Sequence, residues 1–218
     1  MPALTFLLAL LALAAIALAV LFRPPRIVTG LPEGPEVARV RALLHDRLQV
    51  DAGGLRFQSS LLSELGAPDV GLAVEAERML QAARQRSPRD PRLLAASACL
   101  DLAALRLDRA ERLYRQALDR APTYGEARLG LAVTLALRAD AAGDRGRTRG
   151  LRLRAISQLA SVPEQDPIYD AALYDRTLLL VRVGRMEEAR RRGAEYAQRD
   201  SAGVWTVFLR RELDADAP

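Results

Sequence analysis

Residues 3–22 form an uninterrupted apolar run, and this run restricts the possible structure more than any other part of the chain. It reads ALTFLLALLALAAIALAVLF, contains no charged residue and has Thr5 as its one polar residue. A helix of this length rises about 30 Å, which matches the hydrocarbon thickness of a bilayer. The Arg-Pro-Pro-Arg sequence at 23–26 follows, in which prolines end the helix and arginines suit the membrane interface. The sequence therefore predicts a transmembrane helix (a signal anchor) over residues 1–23.

A cleaved signal peptide is the competing interpretation of the same run. The sequence Ala17-Leu18-Ala19 resembles a cleavage site, but no basic residue precedes the run, and the apolar residues continue to Phe22. These features favour a retained anchor, so we expect a single-pass membrane protein. The arginines that follow the run favour a cytoplasmic location for the rest of the chain under the positive-inside rule. A periplasmic location stays open, because large domains cross membranes regardless of flanking charge.

The composition excludes most kinds of catalytic and metal site. The chain has no lysine, so all 32 basic residues are arginine, and a phosphate-loop lysine, a Schiff base and a Ser–Lys dyad are excluded. A single cysteine, Cys99, and a single histidine, His45, exclude an intramolecular disulfide and a Cys/His zinc site. We interpret Cys99 as a small buried residue and His45 as a surface or packed one. No enzyme activity, cofactor or metal is predicted.

Four marks recur along the chain with a period of 34 residues. In the fullest copies an alanine is followed by a bulky residue four positions later, an alanine seven positions later and a proline twelve positions later. The third copy is displaced by a further 11 residues, which indicates an insertion near 139–150. The copies are Ala76, Leu80, Ala83 and Pro88; Ala110, Tyr114, Ala117 and Pro122; Ala155, Leu159, Val162 and Pro167; and Ala189, Gly193, Tyr196 and Ser201.

Local patterns between these marks are typical of helices. Apolar residues from Leu107 to Ala121 follow the i, i+3, i+4, i+7 spacing of an amphipathic helix. Asp90 followed by Pro91 has the form of an N-cap with proline at the first helical position. Sustained β-type alternation is absent. An all-α fold is therefore predicted.

This period resembles that of the tetratricopeptide repeat (TPR) family, whose 34-residue unit is a helix–turn–helix with small residues where the helices cross. The resemblance implies a short α-solenoid behind the transmembrane helix. It also implies a scaffold or adaptor function, in which a protein or peptide partner binds in a concave groove. The predicted division of the chain is a linker over 24–34, a leading helix and connection over 35–56, repeats over 57–201, and a capping helix with an acidic tail over 202–218.

The resemblance also implies where a partner would bind. In many TPR proteins the first helices of successive repeats line the groove. Transferring that lining by register gives a mostly apolar set of candidate groove residues: Ala95, Cys99, Leu102, Leu129, Val133, Ala136, Tyr174, Leu178 and Val181.

An arginine cluster in and beside the insertion offers an alternative function. Its members lie within residues 138–154 and could contact anionic lipid or phosphate: Arg138, Arg145, Arg147, Arg149, Arg152 and Arg154. Nucleic acid is the poorer partner, because no aromatic residues are interleaved to stack on bases. The glycines of GDRGRTRG, within 143–150, fit neither a phosphate loop nor a dinucleotide fingerprint. We interpret this stretch as a flexible inserted loop with a solvated surface.

Overall fold

The structure is a computed structural model that describes residues 33–44, 53–57, 59 and 70–215. The predicted transmembrane helix, nearly all of the predicted linker and His45 lie outside these residues. Among the helices that are described, none combines the length and the apolar character that crossing a bilayer requires.

The described part of the chain is all-helical, as the sequence predicts. Its elements are α1 (Pro35–Leu44), α2 (Val70–Arg86), α3 (Pro91–Ala103), α4 (Leu107–Arg120), α5 (Gly125–Asp140), α6 (Arg145–Ala160), α7 (Tyr169–Arg182), α8 (Met186–Arg199) and α9 (Val204–Ala215). The predicted cap of α3 is confirmed: Pro91 opens the helix, and the Asp90 carboxylate accepts a hydrogen bond from the Arg92 amide at 2.9 Å.

The helices pack as pairs that follow one another along a stack. The most extensive contacts are within the pairs α3/α4, α5/α6 and α7/α8, whose members are joined by connections of three or four residues. Each second helix then packs on the first helix of the next pair, α4 on α5 and α6 on α7. At one end α1 packs on α2 and α3, and at the other α9 packs on α7 and α8. The chain therefore advances by one helix pair at a time.

The 34-residue period corresponds to this advance. The alanine, bulky and small marks of every copy lie on, or directly after, the second helix of a pair, and all of them are buried. The prolines lie in the connections that lead to the next first helix, at Pro88, Pro122 and Pro167. The repeated residues thus mark the surfaces where successive pairs meet.

One of these surfaces shows why small residues are required. Gly130 of α5 faces the ring of Tyr114 of α4, and a Cβ atom at Gly130 would overlap the ring. Tyr114 is fully buried, so its ring has no free space to move into. At this crossing the bulky residue Tyr114 therefore fits against a glycine in the first helix of the next repeat.

The insertion is not a flexible loop, and that interpretation is wrong. Only residues 141–144 separate α5 from α6. Ala155 is the eleventh residue of α6, whereas Ala110 and Ala189 are each the fourth residue of α4 and α8. Most of the extra residues therefore form two additional turns of α6. Asp144 caps this extension by accepting a hydrogen bond from the Arg147 amide at 2.7 Å. The extension tolerates its glycines because they are exposed, and an exposed glycine destabilises a helix by only about 1 kcal/mol.

A last helix lies where the capping helix was predicted. Leu209 of α9 is buried, and the Trp205 ring lies edge-on to Tyr174 at 5.2 Å between ring centres. The outer side of α9 is mixed in polarity: Val204 is 82% exposed and Val207 is 64% exposed, and Arg210 and Arg211 are exposed as well. The helix thus covers the end of the stack with one face and presents both apolar and charged side chains on the other.

We predict that Gly130→Ala strongly destabilises the protein. The added methyl group would collide with Tyr114, and overpacking of a buried crossing typically costs about 1–3 kcal/mol. The measurement is the free energy of unfolding from urea titration of the full chain.

The matched control is Gly150→Ala. Gly150 lies within α6, and no heavy atom lies within 4 Å of the position where its Cβ would be. This variant should gain stability of up to about 1 kcal/mol from helix propensity. Equal effects of the two substitutions would show that the close crossing of α4 and α5 is not present.

Candidate functional site

A short non-helical segment lies across the face formed by the first helices α3, α5 and α7. We call this segment the strap; it comprises the described residues 53–57 and 59. At one end Gly53 and Gly54 lie beside α7 and α9, and at the other end Ser59 lies beside α3 and α5. The face that a TPR-type groove would present is therefore occupied by the chain itself.

Two apolar side chains anchor the strap. Leu55 is 2% exposed and Phe57 is 8% exposed, and both belong to the continuous core of the stack. They are two positions apart in a stretch that has no regular secondary structure. Burying two side chains of this size contributes several kcal/mol to docking, at about 1.5–3 kcal/mol each.

The main chain of the strap is bound by three side chains of α7. The Arg56 amide donates a hydrogen bond to Oδ1 of Asp175. The Tyr174 hydroxyl donates to the Gly54 carbonyl at 3.3 Å, and the Arg182 guanidinium donates to the Gly53 carbonyl. These bonds do not depend on the side chains of the strap.

Side-chain bonds hold the strap at its middle and at its Ser59 end. The Arg56 guanidinium donates to the Tyr196 hydroxyl at 2.8 Å, and that hydroxyl donates to Asp200 at 3.0 Å. At the other end the Ser59 hydroxyl donates to Glu126 at 2.8 Å. The strap therefore connects α5 with α7 and α8.

Two consecutive glycines allow the strap to enter the site. Gly53 has φ of 59° and Gly54 has φ of 83°, which lie in the left-handed region that other residues adopt only at a cost of about 1–2 kcal/mol. The Gly-Gly pair thus sets the direction from which the extended residues reach α7.

The candidate groove residues are all buried. Three lie on α3, three on α5 and three on α7, at the positions that the register predicted, and none is more than 9% exposed: Ala95, Cys99, Leu102, Leu129, Val133, Ala136, Tyr174, Leu178 and Val181. Three of them adjoin the strap. Tyr174 binds it, Leu178 lies beside Gly54, and Cys99 lies beside Ser59. The set therefore forms the floor under the strap and the core between helices.

Burial makes the Cys99 thiol unreactive. It is fully buried, and its hydrogen-bond neighbours are the hydroxyls of Ser59 and Tyr114. Burial raises the pKa of the Cys99 thiol far above its ordinary value, because the thiolate would have no water around it. A thiol that does not ionise is a poor nucleophile.

Burial also changes the Asp175 carboxyl, which lies at the centre of the site. Burial raises the pKa of Asp175 to about 8. This rise is opposed by the hydrogen bond from the Arg56 backbone N–H and by the positive charges of Arg182 and Arg56. Its Oδ1 accepts the strap amide, but its Oδ2 has no hydrogen-bond partner in residues 33–44, 53–57, 59 and 70–215. The strap therefore forms a hydrogen bond with only one of the two oxygens of this fully buried carboxyl group.

Aromatic side chains support the site from below. The rings of Tyr174 and Tyr196 meet edge-on at 5.5 Å, and Trp205 meets Tyr174 in the same manner at 5.2 Å. These contacts join α7, α8 and α9. They position the Tyr174 hydroxyl for its hydrogen bond to Gly54 and the Tyr196 hydroxyl for its hydrogen bond with Arg56.

The arginine cluster is largely used within the protein. Glu111 of α4 is buried and pairs with Arg138 of α5 and with Arg154 of α6 at 3.2 Å. It also pairs with Arg115 on its own helix. The Glu111 carboxylate thus joins two successive helix pairs. It does so through Arg138 and Arg154, which the sequence predicted to contact lipid or phosphate.

The remaining arginines of the cluster divide into two groups. Arg152 pairs with Asp140 at 2.9 Å, and the Arg149 guanidinium donates to the Val183 carbonyl at 2.9 Å. The exposed side chains of Arg145 and Arg147 bond to nothing within the described part of the chain. The structure also brings no group of three or more potential metal ligands together among the residues it describes.

Structural similarity identifies the architecture. No protein-family model matches the chain, and no curated protein matches it. The structure superposes on the crystal structure of a thermophilic TPR protein from Thermus thermophilus with a TM-score of 0.55, at 20% sequence identity, over 67% of this chain and 73% of that chain. The chain has a TPR-like fold. The repeat resemblance is therefore confirmed at the level of the fold, and the strap occupies the face of this TPR-like stack.

Sequence reasoning did not find the strap. The sequence GGLRF at 53–57 fell at the end of the predicted connection and the start of the first repeat. Its one local signal is the Gly-Gly pair followed by two apolar residues with one residue between them. The hydrogen-bond partners of this stretch lie 119 to 140 residues away in the sequence, so no short-range pattern identifies them.

We predict that the stability of the protein depends on the ionisation of Asp175. Its pKa of about 8 in the folded state lies above the value of about 3.9 expected in an unfolded chain. Between these values the folded state retains a proton that the unfolded state has released, so this contribution to stability is lost as the pH rises towards 8. The variant Asp175→Asn lacks this titration.

The measurement is the free energy of unfolding of both proteins at pH 5 and at pH 8.5. The asparagine variant should gain stability relative to the wild type on going from the lower to the higher pH. A difference between the two proteins that stays constant with pH would contradict the assignment.

Proposed function

We propose that the protein is a membrane-anchored TPR-like scaffold that binds an extended segment of a protein partner on the face of α3, α5 and α7. The TPR-like fold itself favours protein–protein interaction. The observation that carries the proposal is the strap, because it is a segment without regular secondary structure that is bound on that face through its main chain. A site that binds one extended segment in this way has the chemistry to bind another.

A non-catalytic role follows from the same site. Its polar groups bind amides and carbonyls, and its thiol is buried with a raised pKa. TPR-like folds typically act by binding. We therefore infer that the protein holds a partner in place and carries out no reaction on it.

The anionic-lipid alternative has weaker support. Of the six candidate arginines, four bond to other groups of the protein, which leaves Arg145 and Arg147 with unbonded side chains among the described residues. An arginine near an anionic surface contributes about 1 kcal/mol. Two such residues would assist binding to a membrane that another segment already holds, and would not suffice without one.

The anchor is the part of the proposal that rests on sequence alone. The apolar run over 3–22 has the length and composition of a transmembrane helix, and the arginines that follow it favour a cytoplasmic stack. Such an anchor would confine the binding face to the membrane surface and raise the local concentration of any partner held there.

We predict that an enzyme reporter fused after Pro218 is active on the cytoplasmic side. The experiment compares two fusions of the full chain, one to a reporter that is active only in the cytoplasm and one to a reporter that is active only in the periplasm. Activity of the periplasmic reporter alone would reverse the orientation, and release of the fusion from membranes as a shortened soluble product would favour a cleaved signal peptide.

We predict that a partner contacts the binding face and not the outer side of the stack. A photo-crosslinking amino acid is placed at Phe208, which lies beside Gly54 of the strap, or at Arg112, which is exposed on the second helix α4. The full chain in its native membrane should give a discrete crosslinked protein at position 208 that is absent at position 112. The same products at both positions, or none at 208, would count against the binding face.

A further inference from the structure

The groove face is closed in this structure by part of the same chain, and the bonds that close it are of a kind that another peptide can replace. Asp175, Tyr174 and Arg182 bind an amide and two carbonyls of the strap. Because every extended peptide carries these groups, the same three side chains can bind a segment of a different protein. Specificity then comes from the side chains that flank the bonded residues.

The strap does not satisfy the site completely. Oδ2 of Asp175 is buried without a hydrogen-bond partner in the described part of the chain. A buried polar atom in this condition disfavours the complex that leaves it unbonded. A partner that bonds to both oxygens of Asp175 would therefore bind more favourably than the strap does.

The strap indicates the chemistry of that partner. Leu55 and Phe57 fill apolar positions two residues apart. Arg56 lies between them in the sequence, and its guanidinium bonds to Tyr196. The site therefore suits a segment that has one apolar side chain before an arginine and one after it.

We propose that the strap (residues 53–57 and 59) is a displaceable internal occupant of the groove, and that the partner is an extended peptide with an apolar–arginine–apolar sequence that takes the place of the strap. This inference rests on the proposed function, since it assumes that the groove face is where a partner binds. The strap belongs to the same chain as the groove, so a separate peptide must compete with an occupant at high effective concentration. The strap therefore keeps the groove closed until a peptide that binds more tightly arrives.

The first test measures binding of a synthetic peptide to the full chain in detergent. The probe is a fluorescent peptide with the sequence of residues 51–61, DAGGLRFQSSL. In the wild type the strap competes with the probe. The variant Phe57→Ser weakens the strap without changing the groove, and should bind the probe at least ten times more tightly than the wild type does.

Two controls accompany this test. Val74→Ser makes the same type of change at an exposed position on α2, and should bind the probe as the wild type does. A second peptide with serine in place of both Leu55 and Phe57 should bind to none of the three proteins. Equal affinity of the wild type and Phe57→Ser for the probe would overturn the proposal.

The second test measures hydrogen exchange in the wild type alone. It tests whether the strap can be displaced even if Phe57→Ser fails to fold. The amide hydrogen of Arg56 should exchange with solvent at least ten times faster than the slowest amides of α7, and excess probe should accelerate this exchange further. Exchange of the Arg56 amide at the rate of the slowest α7 amides, with no effect of the probe, would show that the strap is a permanent part of the core. A crosslinked partner at position 208 combined with that result would remove the displaceable strap and leave the scaffold function standing.

Discussion

The close approach of successive helix pairs is the constraint on which the rest of the structure depends. A chain with only 5% aromatic residues has few large side chains with which to fill gaps between helices. It compensates with alanine and glycine at the crossings, so that backbones lie near one another and single large residues fit between them. Tyr114 against Gly130 and Leu213 against Gly193 are two such contacts, one within the stack and one under the last helix. The sequence repeats every 34 residues because each helix pair forms the same kind of contact with the next.

Features that follow from this constraint could be predicted from the sequence. The marks at Ala110, Tyr114 and Ala117 are buried because they lie where pairs meet, and such positions tolerate few residue types. The insertion was misinterpreted because glycine and arginine in GDRGRTRG have the composition of a loop. The two glycines within α6 are exposed, so their cost is limited to helix propensity, and the Asp144 cap helps to offset it. Composition alone does not distinguish a flexible loop from a helix that contains exposed glycines.

Features that depend on distant pairs of residues could not be predicted. Glu111 is part of an ordinary polar sequence on α4, yet it is buried among arginines from three helices. The strap is the stronger example, since Arg56 and Asp175 are 119 positions apart. The residues transferred by register from the repeat lie on the first helices α3, α5 and α7, and Tyr174, Leu178 and Cys99 among them adjoin the strap. It carried no information that another part of the chain covers that floor.

A double-mutant cycle between Arg56 and Tyr196 tests the position of the strap most directly, because these side chains bond at 2.8 Å although they are 140 positions apart in the sequence. The free energy of unfolding is measured by urea titration for the wild type, Arg56→Ala, Tyr196→Phe and the double variant. Residues in contact typically show a coupling energy of about 0.5–3 kcal/mol, and we expect a value in this range. Effects of the two substitutions that add within about 0.3 kcal/mol would show that the strap does not lie at this position.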